Sequence, residues 1–289
     1  MTLRRREPAT RGIRRSLRKD LRQAARDLTG GGHASDRRLH DVRKILKRAR
    51  AELRLVRAML GDETFDRENR ALRDAGRPLR TIRDAKCLVE TIDALAARAT
   101  GKDLRALRRE REALVAARHR IRARFDASGR PVAAARRLVD QELARIDRWP
   151  SERRGWSVLG PGLKHVYRAG RKALAAARRR PTVESLHELR KQAKYLWHAV
   201  QLLERVHPRA MKTLATRIHR LSDRLGEDHD LAVLVERCGR RGVVTRLAAK
   251  RRAKLRDDAL RLARRVFDPP PRRFAARLKR RWKAWRKGR

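Results

Sequence analysis

An eight-residue pattern, H-[DE]-[VL]-R-K-x-x-K, occurs twice in this chain, at His40 to Lys47 and at His187 to Lys194. The two copies are 147 residues apart, and the apolar spacing around them repeats at the same offset. Leu39, Val42, Leu46, Ala49, Leu53, Val56 and Leu60 recur every three or four residues, which draws one core-facing stripe along a helix. Leu186, Leu189, Ala193, Leu196, Val200 and Leu203 draw the same stripe again. A stripe alone is common to all bundle helices; a stripe that carries the same polar signature twice implies a duplicated helical unit.

The rest of the chain agrees with helix. Ala, Leu, Arg, Lys and Glu dominate and no run alternates with period two. Gly and Pro fall at intervals that read as joints: Gly30 to Gly32, Gly61, Gly76 to Pro78, Gly101, Gly129 to Pro131, Gly160 to Gly162, Pro181, Pro208, Gly226, Gly239 to Gly242 and Pro269 to Pro271. The reading is all-α, with ten or eleven antiparallel helices in two repeats, about 9–149 and 160–287. Residues 1–8 read as a basic N-terminal extension.

Charge sets the class of partner. The 289 residues hold 81 Lys and Arg against 33 Asp and Glu, a net charge of +48. Residues 1–60 carry +13, residues 61–150 only +7, residues 151–267 +19 and the last 22 residues +9. Such self-repulsion opposes a compact state unless a polyanion offsets it: nucleic acid, an anionic lipid surface or a phosphate polymer. No stretch of about 18 apolar residues could span a membrane. The N-terminus lacks the apolar segment of a secretory signal. Cys87 and Cys238 are too few for a disulfide framework or a four-ligand zinc site, and a reduced cytoplasm fits them.

The cations are patterned. At about 100° per residue, His40, Arg43, Lys44 and Lys47 share one arc beside the apolar stripe, and Arg50 and Arg54 extend it. His187, Arg190, Lys191, Lys194 and His198 form the matching ridge. Like charges stacked at these spacings repel, so a purely solvated face would intersperse Glu. The first helix, about 10–28, adds Arg14, Arg18 and Arg22 at four-residue spacing. Its counterpart, about 162–177, adds Lys164, Arg168, Arg171 and Lys172, with Tyr167 either a groove hydroxyl or a core ring. Asp36 and Thr182 read as helix caps, which sets both motif histidines near helix N-termini, where the dipole disfavours imidazolium. Arg80, Arg83 and Arg224 join the ridges only if the third helices return beside the second.

With the two His motifs, the segments Arg80 to Leu88 and Leu221 to Leu231, and Tyr167 to Arg171, the sequence resembles the CHAD family, the conserved histidine α-helical domain. The resemblance covers about residues 9–287 as a single domain; Lys86 departs from the acidic residue usual at its position. It implies two pseudo-symmetric antiparallel helical bundles facing a basic central groove that binds inorganic polyphosphate. The expected contacts are the cations and histidines just named, from Arg14 to Arg224, apart from Arg54, Arg80 and Lys164. The expectation is a cytoplasmic protein, with polyphosphate granules as a place of association that one sequence does not show, and nucleic acid as a weaker competitor. Some members carry a triphosphate tunnel with an ExExK signature; the nearest match here, Glu110-Arg-Glu112-Ala-Leu, lacks the Lys.

Arg grips phosphate through paired N–H donors and Lys supplies a movable charge. Only 11 of 289 residues are aromatic, few for a binder of single-stranded bases. The competing reading is a sequence-independent, chromosome-compacting nucleic-acid binder using the tail KRRWKAWRKGR; that tail is otherwise a last helix with Phe274, Leu278, Trp282 and Trp285 inward. No metal-ligand spacing, nucleophile context or phosphate loop stands out. The expectation is a binding protein without enzymatic activity or cofactor.

Overall fold

Glycine and proline divide the chain, but not at every position where they cluster. The computed structural model describes residues 2–29, 34–149, 153–239 and 241–288. Among them it contains twelve α-helices, one 3-10 turn and no strand. The first seven are α1 (Ala9–Asp27), α2 (Asp36–Leu55), α3 (Arg57–Leu60), α4 (Asp62–Ala75), α5 (Arg80–Ala96), α6 (Gly101–Ser128) and α7 (Arg130–Ile146). The second set is α8 (Trp156–Arg179), α9 (Val183–Leu202), α10 (Pro208–Cys238), α11 (Val243–Phe267) and α12 (Pro271–Lys287). The count exceeds the sequence expectation because α3 is a single turn, closed at Gly61 with φ +80°. The proposed joint Gly30 to Gly32 lies outside the described residues.

Two supposed joints are helix interiors. Gly160-Pro161-Gly162 sits inside α8, which starts at Trp156, six residues earlier than its periodicity suggests. The glycines serve packing: a methyl on Gly162 would overlap the backbone carbonyls of Arg54 and Leu55, so α8 rests directly on the end of α2. Gly226 likewise lies within the unbroken 31-residue α10. Its equivalent stretch in the first half is broken at Gly76 to Leu79 into α4 and α5.

The cap of α2 is Ser35, whose Oγ accepts from the Arg38 N–H at 3.3 Å. Asp36, expected in that role, is the first helical residue; it pairs with Arg118 at 2.6 Å and Arg122 at 2.9 Å. Thr182 caps α9 as expected, accepting from Ser185 N–H at 3.2 Å. Residues 2–8 are not a loose extension. Leu3 is 1% exposed, its N–H donates to Leu202 O at 3.2 Å, and Arg286 of α12 donates to Glu7 O at 2.8 Å.

Two hydrophobic cores form, and neither follows the division into sequence halves. The larger draws on α1, α2, α4, α7, α8, α9 and α12, with the first half of α10 and the end of α11. The smaller joins Val89 and Ile92 of α5 and Leu107 of α6 to Leu231 of α10 and Leu255 of α11. Both helices of the repeated motif touch across the halves, α2 on α9, as do α5 on α10, α6 on α11 and α1 on α8. No helix of the described residues is long and apolar enough to cross a membrane.

Candidate functional site

Packing α2 against α9 through their apolar stripes leaves the flanking polar ridges side by side. α5 packs on α2 and α10 on α9, so the third helices do return beside the second. Six cations from three helices converge there: Arg43, Lys44 and Lys47 of α2, Arg83 of α5, and Arg190 and Lys194 of α9. Lys47 sits at the centre. Its side chain reaches solvent, yet protein surrounds it on most sides. Partial desolvation, then Arg43, Arg83, Arg190 and Lys194, push its ammonium down to about 7. Lys194 is lowered by burial and its cationic neighbours.

Carboxylates only partly offset this charge. Arg83 donates to Asp84 at 3.0 Å and to Asp230 at 3.5 Å, the latter on α10 in the other half. Asp223 faces Arg190 and Lys194. Arg43 donates through Nη1 to Gly76 O at 2.7 Å, while the Arg190 guanidinium lies flat over Gly226. The Nε atoms of both motif arginines are buried without a protein partner. Buried donors left unpaired cost about 1–3 kcal/mol each, so these two have spare capacity for an acceptor.

The motif histidines are both exposed. His40 is exposed at the start of α2; what burial it has, then Lys44, hold its imidazole below the usual range. His187 lies 4.6 Å from His229 of α10 between ring centroids, and burial, His229 and Arg190 lower it. Sequence reading passed over His229. A usable signal existed: Leu79 to Val89 superimposes on Leu225 to Val235 at an offset of 146, which sets Arg83 on His229 and Asp84 on Asp230.

Other expected contacts are elsewhere or otherwise engaged. His198 is half-buried, and desolvation pushes it down to about 3, so it carries no charge. Arg50 donates to Asn69 Oδ1 at 3.0 Å, and Arg54 lies 3.8 Å over the Tyr195 ring, its desolvated guanidinium lowered to about 10. Lys191 pairs with Glu188 and opens with Arg54, Arg57 and His165 onto a separate cavity of 400 Å³ beside α8. Arg224 is exposed and 4.0 Å from Glu227.

The first helices of the two repeats stand apart from the central cluster. Arg14 donates to Trp149 O and Asp147 O, both at 2.9 Å, closing the end of α7. Arg171 does the same for α11, donating to Phe267 O and Asp268 O at 2.7 Å. Arg18 pairs with Asp147, while Arg22, Arg168 and Lys172 are exposed outside the cluster. Tyr167 is a core ring: fully buried, stacked 3.9 Å from Phe274, its hydroxyl donating to Pro269 O at 3.0 Å. Phe274, Leu278 and Trp282 are buried, so the C-terminal tail is a packed helix with one basic face.

A search of family models matches residues 15–239 to the CHAD domain. The chain belongs to the CHAD domain family. The match runs from α1 to the end of α10; α11 and α12 follow it and pack on the same cores. No curated protein matches the chain. The residues that carry the CHAD resemblance, the two H-[DE]-[VL]-R-K helices, are the ones whose cations converge. Among the described residues, no three His, Cys, Asp or Glu side chains are grouped as metal ligands. Burial raises the Cys87 thiol and moves Cys238 up to about 11, which keeps both protonated at neutral pH.

Proposed function

We propose that this CHAD domain binds inorganic polyphosphate in a basic groove between two pseudo-symmetric halves, and that it binds without catalysing a reaction. The observation that carries the reading is the convergence of Arg43, Arg83, Arg190 and Lys194 on Lys47, with Lys44 beside Lys194, held there at the cost of mutual repulsion. A ligand that is a line of anionic oxygens and nothing else matches that cluster. Supporting pseudo-symmetry, α1 and α8, α2 and α9, α5 and α10, and α6 and α11 each pack on their own counterpart, as a two-fold axis would arrange them. The capping residues Ser35 and Thr182 keep the 147-residue offset. Polyphosphate binding is also the role associated with the family. The unpaired thiols Cys87 and Cys238 suit action in the cytoplasm, at polyphosphate granules.

The test is direct binding of labelled long-chain polyphosphate to the wild-type chain and to Lys47→Met/Lys194→Met. Loss of two charge-assisted contacts lowers affinity by at least about tenfold. Equal affinity of the two proteins would remove the groove from the proposal.

A further inference from the structure

We propose that the outer face of α1 is a second polyanion surface, separate from the central groove, and that its partner is the phosphate backbone of duplex nucleic acid. The inference is independent of the polyphosphate reading. A groove of about 720 Å³ on this face is lined by eight side chains, all Arg or Lys, running from Arg4 in the N-terminal segment to Arg26 at the end of α1. Arg15 and Arg18 have carboxylate partners in Glu7 and Asp147; Lys19 and Arg22 are exposed and unmatched by any carboxylate in the lining.

Helical geometry separates this face from the central cluster. α1 meets α2 through Ser16 Oγ, which donates to Glu52 at 2.9 Å, and through Asp20, which pairs with Arg48. At about 100° per residue, Arg22 lies roughly 140° around α1 from those contacts. Arg48 and Glu52 in turn lie roughly 150° around α2 from Arg43 and Lys47. Two helix diameters, about 20 Å, therefore stand between the two cationic surfaces. A phosphate group seated at Lys47 therefore does not touch α1.

The chemistry of the face selects its partner. It offers no apolar or aromatic side chain, so it has nothing to insert into a bilayer and no platform for unpaired bases. It is also broad. Segment 2–8 joins α1 to the end of α12: Arg15 donates to Thr2 O at 3.1 Å, Arg286 donates to Glu7 O, and the Arg5 guanidinium lies against Gly288. A single flexible phosphate chain needs one row of cations. A rigid polyanion with two backbones uses a surface several elements wide.

The experiment titrates full-length protein into a fluorescein-labelled mixed-sequence duplex of about 20 base pairs and follows anisotropy across a salt series. Three variants are compared with wild type: Lys19→Glu/Arg22→Glu/Arg26→Gln on α1, Lys47→Met/Lys194→Met in the groove, and Lys102→Glu/Arg105→Glu/Arg108→Gln on the exposed side of α6. The α6 variant changes net charge as much as the α1 variant. The α1 variant is expected to lose duplex affinity by about tenfold or more, with a salt slope shallower by about two. The other two stay within about twofold of wild type. Equal losses in the α1 and α6 variants, or a loss confined to the groove variant, would overturn the proposal. So would anionic phosphatidylserine vesicles binding in place of the duplex. A wild-type chain that binds duplex through α1 but ignores polyphosphate would leave this inference standing and remove the groove reading.

Discussion

Lys47 concentrates the physics of the site. Its ammonium is held at about 7 by desolvation and four cationic neighbours, so it has room to take up protons near neutral pH. A bound polyanion reverses those terms and draws a proton onto Lys47, with smaller contributions from His40 and His187. Calorimetry at about pH 7.5 in buffers of different ionisation enthalpy should therefore record net proton uptake on polyphosphate binding. Lys47→Arg keeps the charge and is expected to reduce that uptake, because its guanidinium is always protonated. Uptake identical in both proteins would exclude Lys47 as its source. A second residue, Glu52, is buried between Ser16 and the Asp20–Arg48 pair, and burial and then Asp20 raise its carboxyl to about 8. The folded protein thus holds a proton there that the unfolded chain releases near its ordinary value, about 4.3. The stabilisation is complete below that value and is lost as pH rises through about 8. Glu52→Gln should match wild type in thermal midpoint at acid pH and exceed it above about pH 8. Parallel midpoint curves across the range would contradict this.

At the scale of elements, two glycines of opposite character separate sequence from packing. Gly162 lets α8 lie on the carbonyls of Arg54 and Leu55, which cannot yield as a flexible side chain would. Gly162→Ala should lower stability by about 1–3 kcal/mol or more, read from urea or thermal unfolding. Gly76 has φ −86° and room for a methyl, with Leu46 3.5 Å away. Gly76→Ala is expected to be neutral or to stabilise by up to about 1 kcal/mol. Both glycines read alike in the sequence, as joints, because composition records conformational freedom but not which neighbour approaches. The same limit explains Pro161, which looks like a helix boundary yet lies inside α8. The motif helices α2 and α9 were legible because stripe and polar ridge recur together, while the cap of α2 fell one residue earlier than read, on Ser35. The return of α5 beside α2 was legible only as a condition, since nothing local to Arg83 fixes where its helix packs.

For the molecule as a whole, +48 charges must coexist with cores that hold Leu, Val and Ala side chains nearly free of water. Repulsion between exposed cations is screened within about 10 Å at 0.1 M salt. The thermal midpoint of the free protein should therefore rise with added sodium chloride. It should rise further with polyphosphate at low salt, because a ligand bound only by the folded state stabilises it. A midpoint indifferent to saturating polyphosphate would weigh against the groove.

Helical class and the repeated motif were determined by the sequence, and net charge set the expectation of a polyanionic partner, since periodicity, repeat offset and net charge are local or additive properties. Tertiary structure decided how the cations are used. Arg14, Arg18, Arg22 and Arg171 share the spacing of the motif cations, yet two of them close helix ends and none joins the cluster at Lys47. His198 belongs to the motif ridge by spacing but is half-buried and neutral. The physical reason is that periodicity gives the angle of a side chain around its own helix. Whether that angle meets solvent, a carbonyl or another cation depends on the helix packed opposite, and a single helix does not encode its neighbour.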